Sequence, residues 1–433
     1  MQQESFGRIV LLFVLISCSA GAAALEIGAD LNLGMTYTDN SKLTSTNEDS
    51  DWIVNTTAGV TVFEDTGAFT TGISASLEHL EYLNGTFANR NYYSLNGVAS
   101  WEQFKDRLVW QVEDYFAQVP VDTLDAFTPD NIQDTNVFSF GPEITLPVGQ
   151  RSELLLQPQL QDYYYGKDDI DNRQYGLTAG WHFNLRPTLV VGVDGETRQV
   201  NYDNETLNPN YSIHTLHGML ERTLSRLQYN VTAGATRVDR DMFKDRKGMT
   251  GSLDVKYNIT RTSSLRTYLV SSLTDANIDL LRSMVDPQTG DFTNEQATSD
   301  ILRNNTLRVT YQQKHVTTSS QLWAELRDLD YTESTQDLRV QAVGMSLDYP
   351  IAAQLKTGII AQYIRTRQLD TGRTDKEYIV GGNASYGLSR KLRCNFGLQY
   401  QRKDSTQTID TYKEFKIFAG LVYDLYGQRQ SLQ

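Results

Sequence analysis

Residues 227–260 read LQYNVTAGATRVDRDMFKDRKGMTGSLDVKYNIT. Leu227, Tyr229, Val231, Ala233 and Ala235 alternate with Gln228, Asn230, Thr232, Gly234 and Thr236. After a charged break, Met249, Gly251, Leu253, Val255, Tyr257 and Ile259 alternate with Thr250, Ser252, Asp254, Lys256, Asn258 and Thr260. A period of two sends successive side chains to opposite faces of a strand. The stretch therefore predicts a hairpin with one apolar and one polar face. Its apolar face mixes Ala and Gly with Leu and aromatic residues, where a soluble sheet would concentrate Leu, Ile and Val.

The same grammar runs outward in both directions. Tyr378, Val380, Gly382, Ala384, Tyr386 and Leu388 share a face, as do Leu392, Cys394, Phe396, Leu398 and Tyr400. Phe415, Ile417, Ala419, Leu421, Tyr423 and Leu425 form the face of the last run. Aromatic residues collect near run ends, among them Tyr37, Trp101, Trp110, Tyr163, Tyr164, Tyr165, Tyr257, Tyr311, Tyr400 and Tyr423. Such girdles suit the two interfaces of a membrane. Connections alternate between short turns, such as those near 105–107, 225–226 and 389–391, and long ones, such as 38–51, 120–135 and 277–300. Short periplasmic turns with long outer loops mark a bacterial outer-membrane barrel.

The expected fold is all-β: a closed antiparallel transmembrane barrel of about 20 strands (18–20), with no plug domain before it. Closure follows from the solvent. Hydrocarbon offers backbone N–H and C=O groups no partner, so an open sheet edge is not tolerated. About 20 strands spaced ~4.8 Å apart and tilted near 40° would enclose a cylinder roughly 40 Å across, too wide for side chains to fill. A hydrated lumen is the consequence.

The start of the chain has its own character. Arg8, the apolar run Ile9–Ile16 and the small residues Ala20–Ala24 have the form of a secretory signal peptide, preferably cleaved after Ala24. Leu15-Ile16-Ser17-Cys18 is a rival, a lipobox in which Cys18 would be acylated. The expected organisation is thus 1–24 signal peptide and 25–433 barrel. Either reading exports the chain, and the outer membrane is its expected location.

The 433 residues carry 53 Asp and Glu against 39 Lys and Arg, a net charge of −14. That balance disfavours nucleic acid as a partner, because phosphate neutralisation needs a basic face. Cys18 and Cys394 are the only cysteines, so the mature chain has neither an internal disulfide nor a cysteine metal site. The five histidines are His79, His182, His214, His217 and His315, and no G-x-S-x-G signature accompanies them. His214 and His217 on one strand would point to opposite faces, which defeats shared metal ligation. No catalytic residue, metal site or cofactor is expected.

The polar faces carry both signs of charge. Glu78, Asp194, Glu196, Asp254, Lys256, Arg308, Lys356, Arg393 and Lys416 are the candidate lumen-facing residues. They would form a wall for a polar solute, or simply keep the wall wet. Selectivity needs rings of one sign, which a linear sequence cannot place. Asn230, Asn258 and Asn383 fall in sequons but also in strands, where they read as polar wall residues. The long connections are acidic at 47–51, 167–171 and 286–295, and the short turns are mostly basic. Acidic loops could hold divalent cations at a lipopolysaccharide surface; ordinary solvation is the simpler account. The longest connection, 277–300, is a candidate gate.

Three patches carry a family resemblance: Tyr37-Thr38-Asp39-Asn40 closing the first strand, Phe140-Gly141-Pro142-Glu143 inside a strand, and Tyr163-Tyr164-Tyr165 at a strand end. With them the chain resembles the outer-membrane β-barrel proteins of exopolysaccharide and exosortase (PEP-CTERM) gene clusters. The resemblance implies a pore for export of a polar polymer, exopolysaccharide, with polysaccharide and periplasmic export components as partners; outer-membrane lipids and lipopolysaccharide are the partners that the barrel reading itself implies. It carries no catalytic residues. A general or solute-selective diffusion porin is the alternative, and a non-transporting surface or adhesion barrel is a third reading.

Overall fold

Twenty strands follow one another in a computed structural model that describes residues 25–276, 298–334 and 336–426. The expected signal peptide with its rival lipobox, and most of the 277–300 connection, lie outside the described residues. The strands are β1 (Glu26–Thr38), β2 (Asp51–Asp65), β3 (Phe69–Tyr82), β4 (Arg90–Phe104), β5 (Leu108–Pro120), β6 (Ile132–Val148) and β7 (Ser152–Tyr165). Next come β8 (Asn172–Arg186), β9 (Leu189–Tyr202), β10 (Tyr211–Thr223), β11 (Leu227–Arg240), β12 (Arg246–Asn258), β13 (Ser263–Asp275) and β14 (Ile301–Lys314). The circuit ends with β15 (Ser319–Tyr331), β16 (Leu338–Ala352), β17 (Leu355–Gln368), β18 (Thr374–Gly387), β19 (Leu392–Ser405) and β20 (Tyr412–Tyr426).

Each strand pairs antiparallel with the next, and β1 pairs with β20 from Ala29↔Tyr426 to Thr38↔Lys416. The sheet therefore closes and has no free edge, as an apolar solvent requires. The fold is the expected all-β barrel. Strands of about 15 residues rise ~3.4 Å per residue, and at a tilt near 40° they stand about 36 Å tall. An apolar belt is about 25 Å tall, so the strand ends stand clear of the lipid.

Registers carry one face around the whole ring. Leu31, Leu33 and Met35 of β1 sit opposite Ala58, Thr56 and Val54 of β2 and beside Tyr423, Leu421 and Ala419 of β20. This face exposes Leu77, Leu154, Leu177, Val193, Leu216, Leu269, Leu322, Val343, Ile359, Val380 and Leu398. It is the convex, lipid-facing side. Rings flank it in pairs: Tyr37 and Trp52 at the long-connection end with centroids 5.0 Å apart, and stacked Trp110 and Phe140 nearer the other end at 5.5 Å. One expectation fails here. Tyr163 and Tyr165 are not interfacial; they face inward and are buried, and only Tyr164 keeps the outward face. Three consecutive residues of a strand cannot share a side.

Candidate functional site

The nine charged residues expected to face the lumen stand on β3, β9, β12, β14, β17, β19 and β20. By register, all nine lie on the face opposite the exposed apolar one. Most are paired. Arg266 grips Asp254 with two bonds, Nε to Oδ1 at 2.9 Å and Nη2 to Oδ2 at 2.6 Å. Glu325 lies between Arg308 at 3.3 Å and Arg327 at 2.7 Å, and Arg308 stacks 4.9 Å over Trp323. Arg198 pairs with Glu196, Arg393 with Asp424 at 3.1 Å, and Lys416 with Glu414 at 2.9 Å. Arg198, Arg266, Glu325 and Arg327 were not singled out in the sequence, although strand parity alone places them on this face.

The histidines divide as strand geometry demands. His214 faces outward, bonded to Thr197 at 2.8 Å, and His217 faces inward, 3.5 Å from Asp194. Asp194 also meets His182 at 2.8 Å. Among the described residues, no group of three His, Cys, Asp or Glu side chains has metal-holding geometry.

The outer mouth departs most from expectation. The expectation is a hydrated lumen with 277–300 as its candidate gate; two segments of backbone enter the lumen, the ends of the strands that flank that connection and the β5–β6 connection. The first is the top of β13–β14. β12 pairs with β13 only as far as Gly251↔Ser271, while β11–β12 continues to Val238↔Arg246 and β13–β14 to Asp275↔Ile301. Above the separation, the hairpin leans inward. Leu273 and Ile301, which continue the outward face of exposed Leu269, pack in one buried cluster with the inward residues Val137, Tyr163, Val200, Tyr211 and Val238. Asp275 accepts hydrogen bonds from the hydroxyl of Tyr211 and, at 3.4 Å, from Gln174 Nε2. The outer face of one hairpin thus rests on the inner face of β6–β11.

The second segment is the β5–β6 connection, residues 121–131. Its shape is set by Asn131, whose Oδ1 accepts the Asp122 N–H at 2.9 Å and whose Nδ2 donates to the carbonyls of Asp122 at 2.7 Å and Ala126 at 3.1 Å. These bonds hold the backbone polar groups of a segment that has left the sheet. At its tip, Leu124 packs on Ala276, Leu302, Leu329, Tyr331 and Leu338. The Leu124 carbonyl accepts from Arg373 Nη2 at 2.7 Å and from Lys403. Arg373 is fixed in turn by Asp375 and Asp410, each at 3.0 Å, and Lys403 lies 3.3 Å from Asp375. β15 stands ten strands from β5 in this ring of twenty, so the connection is a latch across the mouth. Burial and the neighbouring Asp122 and Asp410 carboxylates push the Asp125 carboxyl above its ordinary range, against the pull of Arg373 and Lys403. No sequence motif announces this docking, because the partners lie some 250 and 280 residues apart.

A closed barrel with a lipid-facing apolar belt, aromatic flanks and an ion-paired polar interior is an outer-membrane β-barrel of the porin type. Residues 332–425, about the last five strands, match the family described as "Putative beta-barrel porin 2". No curated protein matches the sequence. Among solved structures, the FrpB iron transporter from Neisseria meningitidis (F3-3 variant) is similar with a TM-score of 0.51 and 9% identity, over 92% of this chain and 81% of that one. The siderophore receptor PirA from Pseudomonas aeruginosa gives 0.47 and 11%, over 94% and 81%. The loop L8 deletion mutant of OmpT from Vibrio cholerae gives 0.36 and 10%, over 93% and 99%. At these identities the likeness to FrpB bears on the fold alone. The protein belongs to the bacterial outer membrane.

Proposed function

We propose that this barrel is a gated conduit for hydrophilic cargo, with an exported polar polymer, exopolysaccharide, as the cargo class. The observation that carries the reading is the latch. A hydrated, charge-paired wall is spanned at one end by a segment whose far contacts include one leucine and one carbonyl, and such contacts can be released without breaking the barrel. An outer-side closure suits cargo pushed from the periplasm, and the resemblance to polysaccharide-cluster barrels supplies the cargo class. A second reading has its own support: an inward loop also narrows a diffusion porin to an eyelet, and the pathway would then pass small solutes.

Single-channel recording on the refolded protein separates the two. Deleting residues 123–129 of the latch should convert rare openings into large, lasting steps that added polysaccharide blocks. Small steps before and after deletion, indifferent to polymer, would favour the solute porin.

A further inference from the structure

The two rims of the barrel differ in charge. The nine short turns hold seven Lys and Arg and one Asp, while the ten long connections hold twenty-two Asp and Glu and five Lys and Arg. Against a net charge of −14, the periplasmic rim is a basic island. A concavity of about 600 Å³ lies between the β10–β11 and β12–β13 turns and the foot of β14, and is lined by Arg226, Lys256, Arg261 and Lys314. Asn258 and Gln312 add amide donors, and every other lining residue is Ser or Thr. Among the described residues, no carboxylate and no apolar side chain lines it.

The wall beside it does not neutralise Lys256. Lys256 stands directly across from Arg266 on β13, and like charges opposed on neighbouring strands repel. The nearby carboxylate, Asp254, is already taken by both donors of Arg266. By register, Lys256, Asn258, Ser264, Gln312 and Lys314 face the lumen. Arg226, Lys256 and Arg261, with hydroxyl and amide donors at the inner entrance, form a site for an oxyanion borne on a hydroxyl-rich molecule. Guanidinium groups match carboxylate, sulfate and phosphate geometry, and the amides and hydroxyls match sugar hydroxyls.

We propose that this cavity is the periplasmic loading site of the conduit, and that the cargo is anionic: a chain of sugars bearing carboxylate, sulfate or phosphate groups. The inference rests on the conduit reading and deepens it. The acidic outer rim then disfavours rebinding of cargo that has left.

The test uses the refolded full chain, an oligogalacturonate decamer as the anionic probe, maltodecaose as its neutral counterpart, and sodium phosphate at matched ionic strength. Binding is measured by calorimetry in detergent, and channel block is measured with each probe added to one side of a bilayer. Oligogalacturonate should bind well over tenfold tighter than maltodecaose, and should block from the periplasmic side. Three exposed cation contacts, each worth a few-fold, multiply to about ten- to a hundredfold. The triple variant Arg226→Gln, Lys256→Gln, Arg261→Gln should weaken binding by that factor. The charge-matched control Lys105→Gln, Arg107→Gln, Arg151→Gln, on the same rim outside the cavity, should not. Equal binding of both sugars, equal losses in both triple variants, or phosphate binding as tightly as the decamer would each overturn the proposal. Calorimetry reads the site even when no channel opens, so a silent bilayer counts against the conduit and not against the site.

Discussion

Replacing Lys403 by Met tests the latch with the least collateral damage. The substitution keeps the aliphatic stem in its buried place and removes one charged donor from the Leu124 carbonyl. It does not orphan the partner carboxylate, since Asp375 retains Arg373 at 3.0 Å and the hydroxyl of Ser405 at 2.6 Å. A hydrogen bond to a charged group contributes about 1.5–3 kcal/mol, and the partly buried Leu124 side chain adds less than the ~1.5–3 kcal/mol of full burial. Losing one of the two charged bonds should therefore shift the closed-to-open ratio by about ten- to 150-fold. The assay is open probability in a planar bilayer, with heat-modifiable migration on gels to show that the barrel is folded. Lys403→Met should raise open probability at least tenfold, and Lys403→Arg should restore closure. A folded Lys403→Met barrel whose open probability stays within twofold of the parent would refute the latch as the element that closes the mouth.

Acid should close the channel. The Asp125 carboxyl binds its proton more tightly in the docked loop than in a free one, so protonation favours docking. Closure should deepen as pH falls from the raised value toward the ordinary aspartate value of 3.8, and Asp125→Asn should close the channel further and flatten that dependence. Tyr211→Phe removes a buried bond to Asp275. It should loosen the inturned β13–β14 hairpin by about 1.5–3 kcal/mol, seen as faster proteolysis near residue 275 with the barrel intact; unchanged cleavage would count against the hairpin's dependence on that contact. Arg266→Gln leaves Asp254 without its bidentate partner and makes the wall more negative. Reversal potentials under a salt gradient should move toward cation preference, and movement the other way would mean that this pair does not line the ion path.

Residues 227–260 already hold the fold, because in lipid a period of two with one apolar face has one stable outcome. The hairpin rhythm predicted about twenty strands, and parity put Glu78, Asp194, Asp254 and Arg393 on the face where their registers lie. Such inference is local: each strand's two faces are written in consecutive residues, and the solvent dictates which one turns outward. What tertiary structure decided is everything that crosses the lumen. Leu124 reads as one apolar residue in a polar loop, and Arg373 and Lys403 as unremarkable cations near strand ends. Nothing in their neighbourhoods says that they meet. Tyr163 and Tyr165 read as interfacial aromatics, yet they seat the in-turned hairpin. β12 and β13 have equally regular patterns, and only the register shows their pairing stop at Gly251↔Ser271. The sequence by itself determined the barrel wall, because hydrocarbon enforces a short-range alternation. The closed mouth depends on contacts between segments hundreds of residues apart, whose complementarity exists only once the ring has closed.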